Sequence, residues 1–224
     1  VVGLAVAAIP EGLPAILTVT LAIGVQRMAA RRAILRRLPA VETLGSVSVI
    51  CSDKTGTLTR NEMTVRGVAT AAGLFTVGGE GYAPRGGFSR DGAEKRPEAH
   101  PDLMEAARAA ALCNDARLSE AEGGWRVTGD PMEGALLTLA AKAGLEPETL
   151  ARESPRVDEI PFDSAHRFMA TLHNGHDGAG AIYLKGAPER VLALCAAQRG
   201  PEGDAPLDPA FWRQQVEAMA AEGQ

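Results

Sequence analysis

Residues 1–25, VVGLAVAAIPEGLPAILTVTLAIGV, hold a single charge, Glu11, in 25 positions. A run that long and that apolar can cross a bilayer core of about 30 Å. It restricts the start of the chain to a membrane span or a wholly buried helix. It has neither the basic start nor the small-residue cleavage site of a signal peptide. Arg27, Arg31, Arg32, Arg36 and Arg37 follow within eleven positions, as a cytoplasmic flank does. They read as headgroup anchors or as partners for an adjacent domain. Pro10 and Pro14 bracket Glu11 and Gly12, and prolines there remove donors and unwind the helix. A broken helix is tolerated at membrane depth only against protein or a water-filled cavity. Glu11 beside freed carbonyls therefore reads either as a cation ligand or as an acid paired to a neighbouring helix at a proline kink.

Behind this segment, VQRMAARRAILRRL at 25–38 has helical character and ends at Pro39, which predicts a stalk helix leaving the membrane. The remaining composition excludes several classes. The 224 residues carry 23 basic and 28 acidic side chains, net −5, which gives no reason to expect nucleic acid. Cys51, Cys113 and Cys195 are far apart and odd in number. A disulfide framework or structural zinc site is not indicated, and reduced cytosolic thiols fit. The chain opens on Val1 in an apolar run and closes on Gly223-Gln224, which reads as a piece of a longer protein.

SVSVI at 46–50 predicts a short buried strand, and CSDKTG at 51–56 leaves it. An acid at the carboxyl end of such a strand is well placed for chemistry in an open α/β sheet. Thr55 and Thr57 offer hydroxyls, Gly56 permits close backbone approach, and Lys54 supplies charge. Asp53 is thus a candidate covalent nucleophile, with an Asx cap as the structural alternative. No Walker loop is present.

DKTGTLT at 53–59 resembles the phosphorylation motif of the P-type cation-transporting ATPases, and PEGLP at 10–14 resembles the unwound fourth transmembrane helix of their calcium-pump-like branch. The resemblance implies that Asp53 receives the terminal phosphoryl of ATP, that Thr55 contacts it and helps Asp53 hold Mg²⁺, and that Lys54 and Thr57 shape the same pocket. It makes Glu11 a ligand of the transported cation. Pro14 leans towards calcium, with Mn²⁺, Na⁺ and other cations left open.

Residues 77–102 are rich in Gly and Pro and predict a solvent-facing hairpin or loop region. DLMEAARAAALC at 102–113 predicts a helix with Leu103, Ala107, Ala110 and Ala111 on one side and Asp102 as its cap. In VTGDPMEGALLTLAAKAG at 127–144, Pro131 suits a first helical turn and Glu133 favours that end of the helix. VDEIPFDSAHRFMATLHN at 157–174 predicts a strand pair, and composition alone makes Phe162 a core residue, although an aromatic face can also stack a base. AIYL at 181–184 predicts a strand that Lys185-Gly186 leaves, and PAFWRQQVEAMAA at 209–221 predicts an amphipathic helix striped by Trp212, Val216 and Met219. His173 and His176 read as solvated turn residues.

GDPMEGAL and KGAPE resemble nucleotide-domain motifs of the same family. They imply that Glu133 reaches the adenine amino group, that Phe162 lies against the ring, and that Lys185 and Gly186 line the cleft. Arg167 stands where relatives carry lysine and keeps the charge. Met132 replaces a common threonine and His166 a common arginine, which weakens the polar and phosphate contacts expected there.

The implied fold is α/β: an α+β nucleotide-binding domain inserted in a Rossmann-like, haloacid-dehalogenase-type phosphorylation domain, behind an N-terminal transmembrane helix, with the whole truncated. The expected segments are a transmembrane helix at 1–26, a stalk at 27–38, the first part of the phosphorylation domain at 39–60, and an incomplete nucleotide-binding domain at 61–224. The implied cofactors are ATP and Mg²⁺. The implied partners are a transported cation, the bilayer and the remaining domains and membrane helices of a parent pump, in a bacterial plasma membrane with residues 27–224 cytoplasmic. The piece alone is expected neither to transport nor to turn over. The competing readings are a non-catalytic nucleotide-binding module and a soluble phosphatase of the haloacid-dehalogenase class. That class usually carries a second aspartate two residues on, where this chain has Thr55.

Overall fold

The computed structural model describes residues 12–174, 180–200 and 203–224. Pro10, Glu11 and His176 lie outside them. The chain divides into two compact units, Val1–Leu58 and Thr59–Gln224.

In the first unit, α1 spans Leu13–Ala30 and is long and apolar enough to cross a membrane. Its 18 residues reach about 27 Å. Pro14 sits in its first turn, where a missing N–H costs nothing. Thr18 and Thr20 donate their hydroxyls to the carbonyls of Pro14 and Ile16 at 2.8 Å, so neither presents a bare hydroxyl to an apolar environment. The helix expected to run on through residue 38 ends at Ala30, with Arg32 in the left-handed region at φ 63°. A continued helix would stack Arg27 on Arg31 and Arg32 on Arg36, like charges at i,i+4 spacing. The chain reverses instead, and α2, Ala40–Leu44, packs back with Val41 against Gly24 of α1.

The strand expected at 46–50 does not form: the segment has no regular structure, and Val49 and Ile50 are 74% and 86% exposed. A buried strand takes its hydrogen bonds from neighbours, and no strand among the described residues of this unit lies beside it.

The second unit opens with a four-stranded antiparallel meander, β1 Gly67–Thr70, β2 Gly73–Val77, β3 Phe88–Arg90 and β4 Ala93–Lys95, in that order. The loop-rich stretch 77–102 thus contains a hairpin whose Phe88 is buried. Helix α3, Pro101–Leu112, lays Leu103, Ala107 and Ala110 on the sheet residues Phe75, Val77 and Phe88, and Leu139 and Ala143 close the same core. Leu112, not Ala111, completes the buried side of α3. Its N-cap position is His100; Asp102 lies in the first turn and makes no capping bond.

After the hairpin β5 Arg117–Ala121 and β6 Gly124–Thr128 come α4 Pro131–Lys142 and α5 Pro147–Glu153. A three-stranded antiparallel sheet follows, β7 Arg156–Asp163, β8 Phe168–Asn174 and β9 Gly180–Gly186, ordered β7-β8-β9. The unit ends with α6 Pro188–Leu194, the hairpin β10 Ala197–Gly200 and β11 Gly203–Pro206, and α7 Pro209–Ala221. His173 is no turn residue. It is 3% exposed on β8, with Nδ1 on the Ser154 carbonyl at 2.8 Å and Nε2 on Thr171 Oγ1 at 3.0 Å.

Candidate functional site

The end of the three-stranded sheet where β7 finishes, β8 begins and β9 finishes gathers most of the candidate nucleotide residues. Asp163 faces Phe168, and Phe168 faces Gly186. The β7–β8 register shifts between Ile160 and Asp163. Pro161 cannot donate to a ladder, so pairing breaks there and the strand bulges. The adjoining Phe162 is left 64% exposed. Its assignment to the core on composition is therefore wrong: the bulge turns this ring outward, whereas Phe75 and Phe88 are buried.

Asp163 also builds the turn into β8. Its Oδ1 accepts the Ala165 N–H at 2.7 Å and its carbonyl accepts the Arg167 N–H at 2.7 Å, with Arg167 at φ 57°. The Arg167 carbonyl accepts the Ala187 N–H at 3.0 Å, and Arg190 Nε donates to the His166 carbonyl at 3.2 Å, so the turn is locked to the start of α6. The Arg167 guanidinium meets Glu189 at 2.7 Å, both being half exposed. The His166 ring faces its own turn: it lies 4.6 Å from the Phe168 ring, and Nε2 is 3.2 Å from the Pro161 carbonyl. Gly186 is required by the protein itself. A Cβ there would stand 2.5 Å from the Arg167 carbonyl oxygen and 2.6–2.7 Å from Phe168 Cβ and Cα.

Helix α4 contributes the acid. Asp130 caps it, Oδ1 accepting from the N–H groups of Met132 at 2.8 Å and Glu133 at 3.3 Å, with Pro131 at the first position. Glu133 is 9% exposed. One of its carboxylate oxygens takes Lys185 Nζ at 2.5 Å, and the other accepts the Asp115 N–H at 3.3 Å. This pair joins α4 to the end of β9. Met132, beside it, is 41% exposed. A cavity of about 530 Å³ also touches Lys185 and Gly186, but its walls are chiefly apolar (Val191, Leu192, Leu207, Trp212, Val216), and it reaches none of Glu133, Phe162 and Arg167. Lys185 and Arg199 are the cationic side chains on its wall.

Several residues behind Glu133 are silent in the sequence. Asn114 donates from Nδ2 to the carbonyls of Ala110 and Glu133, both at 3.0 Å, and accepts the Ala116 N–H on Oδ1 at 2.9 Å. Cys113 is fully buried, and burial pushes its thiol above the ordinary value. Arg156 packs against the same segment. Asp130 was within reach of sequence reading, because Asp-Pro ahead of an apolar run is an N-cap signature.

Asp53, Lys54, Thr55 and Thr57 lie in the first unit and are exposed. The turn over Lys54–Leu58 has Thr55 at φ −78°, ψ 121° and Gly56 at φ 75°, ψ 0°. Those are the two central positions of a type II turn, which demands glycine at the second. The turn lifts the chain just behind Asp53 and leaves the carboxylate in the open. Among the described residues no group of three or more His, Cys, Asp or Glu side chains is placed to hold a metal ion.

The model of the P-type ATPase cytoplasmic domain N matches residues 102–224. The cation-transporting ATPase pma1 of Synechocystis is 49% identical over 228 residues, covering 99% of this chain and 25% of its own length. A probable cation-transporting ATPase F of Mycobacterium tuberculosis is 49% identical over 225 residues, with the same coverage of both. A calcium-transporting ATPase of Bacillus subtilis is 47% identical over 191 residues, covering 85% of this chain and 22% of its own length. The chain therefore spans about a quarter of the length of the curated relatives it matches.

Proposed function

Because this chain belongs to the P-type ATPases, we propose that its second unit binds ATP and that Asp53 accepts the terminal phosphoryl group in an ATP-driven cation pump. The observation that carries this reading is the arrangement at one end of the β7-β8-β9 sheet. An outward aromatic ring, two cationic side chains and a carboxylate held by Lys185 lie on adjoining elements.

In this reading Phe162 stacks on adenine, and the Glu133 carboxylate accepts a hydrogen bond from the exocyclic amine. Lys185 and Arg167 attract the phosphates, Arg167 exchanging Glu189 for a phosphate oxygen. An Asp53 oxygen attacks the γ-phosphorus. The new O–P bond forms as the bond to the β-phosphate oxygen breaks, and ADP leaves. Lys54, Thr55 and Thr57 contact the transferred group. The Asp53 carboxylate and Thr55, together with phosphate oxygens of the nucleotide, would hold Mg²⁺, which would offset the charge that develops on transfer. The phosphorylation segment is proposed to belong to a haloacid-dehalogenase-type domain.

Helix α1 is proposed to span a bacterial plasma membrane, with residues 27–224 on the cytoplasmic side and Glu11 as a ligand of the transported ion. Calcium is the ion proposed, in keeping with Pro14 and with the name of the Bacillus subtilis relative. Mn²⁺ and Na⁺ are the alternatives. The remaining domains and membrane helices of a parent pump would complete the cation cage.

The test is acid-stable, hydroxylamine-sensitive phosphoenzyme in vesicles holding the full-length protein, with γ-labelled ATP, Mg²⁺ and a panel of cations. Label that requires one cation and disappears in Asp53→Asn is expected. Label that persists in Asp53→Asn would move the nucleophile elsewhere, and no label with any cation would leave a nucleotide-binding module as the better description.

A further inference from the structure

Arg156 lies outside the adenine and phosphate contacts proposed above, yet its guanidinium is tied to Glu133 through one peptide plane. Nη2 donates to the Asn114 carbonyl at 2.5 Å and to the Leu112 carbonyl at 3.4 Å, while Nη1 meets Asp115 Oδ1 at 2.6 Å and Glu159 Oε2 at 2.7 Å. The Asn114 carbonyl and the Asp115 N–H are opposite ends of the same peptide group. That N–H is the one that donates to Glu133 Oε2 at 3.3 Å. A trans peptide is planar, with its C=O and N–H pointing in opposite directions, so fixing the oxygen fixes the direction of the N–H. A cation on the oxygen also polarises the group and strengthens the donor at its far end.

The rest of the segment explains why this clamp is needed. Leu112 ends α3, so its carbonyl is one of the last four, without a partner inside the helix. Cys113 is drawn inward, its Sγ donating to the Met169 carbonyl at 3.5 Å, and Asn114 is held by its own side chain. The described contacts of those two residues leave the 114–115 peptide oxygen to Arg156. The Arg156 side chain is 28% exposed, so its four contacts are screened less than those of a fully solvated arginine.

We infer that Arg156 is a positioning residue for base recognition: through the 114–115 peptide it orients the Glu133 carboxylate towards the exocyclic amine of adenine. The inference rests on the nucleotide-site reading above. It ties selectivity for an amino purine over an oxo purine to Arg156. A carboxylate aimed at the purine 6-position accepts from an amine and repels a carbonyl oxygen, so a site built this way rejects the oxo analogue.

The experiment measures equilibrium binding of ATP, ITP and tripolyphosphate to the chain and to its Arg156→Gln, Arg156→Lys and Glu133→Gln variants. The wild type is expected to prefer ATP to ITP, and Glu133→Gln to erase that preference. Arg156→Gln should lower ATP affinity by about 3- to 10-fold, the size of an indirect coupling, with ITP and tripolyphosphate affinities unchanged. Arg156→Lys, which keeps the charge without the fork, should fall between. Should Arg156→Gln fail to fold, Arg156→Lys carries the comparison. Equal losses for ATP and ITP, or no loss, would overturn the inference and leave Arg156 a structural residue. A wild type that does not discriminate, or a preference that survives Glu133→Gln, would overturn the base-recognition reading itself and the inference with it.

Discussion

Replacing Gly186 with alanine tests whether the end of the sheet is built as described. The added methyl would lie 2.5 Å from the Arg167 carbonyl oxygen, and two Phe168 atoms stand at 2.6 and 2.7 Å. Ordinary contact begins near 3.4 Å, so β8 and β9 must separate by about 0.9 Å at this point. The obstacles include backbone atoms and a Cβ, which no rotamer change can move. Overpacking of this kind costs about 1–3 kcal/mol. The Ala187 N–H to Arg167 carbonyl bond lies directly in the path, and losing it adds about 1 kcal/mol. Alanine also restricts the unfolded chain, which offsets about 0.4–1 kcal/mol. The net expectation is a loss of about 2 kcal/mol, roughly a 30-fold shift towards the unfolded state. Both tryptophans, Trp125 and Trp212, lie in the second unit, so urea unfolding followed by their fluorescence reads it directly. ATP affinity should fall as well, because Lys185 is carried on β9 and Arg167 on the turn that leads into β8. A variant within about 0.5 kcal/mol of wild type, with unchanged ATP affinity, would refute the β8–β9 packing and the reading of Gly186 as a close-approach glycine.

Asp130→Ala removes the acceptor for the Met132 and Glu133 N–H groups and should cost about 1 kcal/mol in urea unfolding; a change too small to measure would mean the start of α4 does not depend on this cap. Cys51 and Cys195 are exposed and should react rapidly with a thiol reagent such as DTNB, while Cys113 should react only on unfolding. Because burial raises the Cys113 thiol above 9.0, its contribution to stability is whole below pH 9.0 and is lost as the pH climbs through the folded-state value. The stability difference between wild type and Cys113→Ala should therefore narrow above pH 9.0, and a difference that stays level or widens would contradict the assignment.

Local signals were legible in the sequence. The apolar run from Leu13 gives α1, and among the described residues the α-helices of the second unit start at prolines: Pro101, Pro131, Pro147, Pro188 and Pro209. A proline in the first turn, a cap such as Asp130 and a three-to-four-residue apolar repeat act within a few positions of one another, so the chain announces them without reference to its fold. Gly56 belongs to the same class, since a turn of this type fails without it.

What the sequence left undecided depends on partners distant along the chain. Composition makes Phe162, Phe75 and Phe88 equivalent; the bulge beside Pro161 turns the first outward, and packing of α3 on the meander buries the others. His173 resembles a loop histidine until β8 is enclosed by Ser154 and Tyr183. SVSVI has the composition of a strand, yet a strand exists only where a neighbour accepts its hydrogen bonds. The Lys185–Glu133 pair and the Arg156–peptide–Glu133 relay each join elements separated by intervening strands or helices, and no spacing rule reaches that far. The sequence by itself determined the helix starts, the turn chemistry and the residue types available for nucleotide binding. Tertiary structure decided which side chains are buried and which carboxylate is oriented, because burial and long-range hydrogen bonds are properties of pairs that only folding brings together.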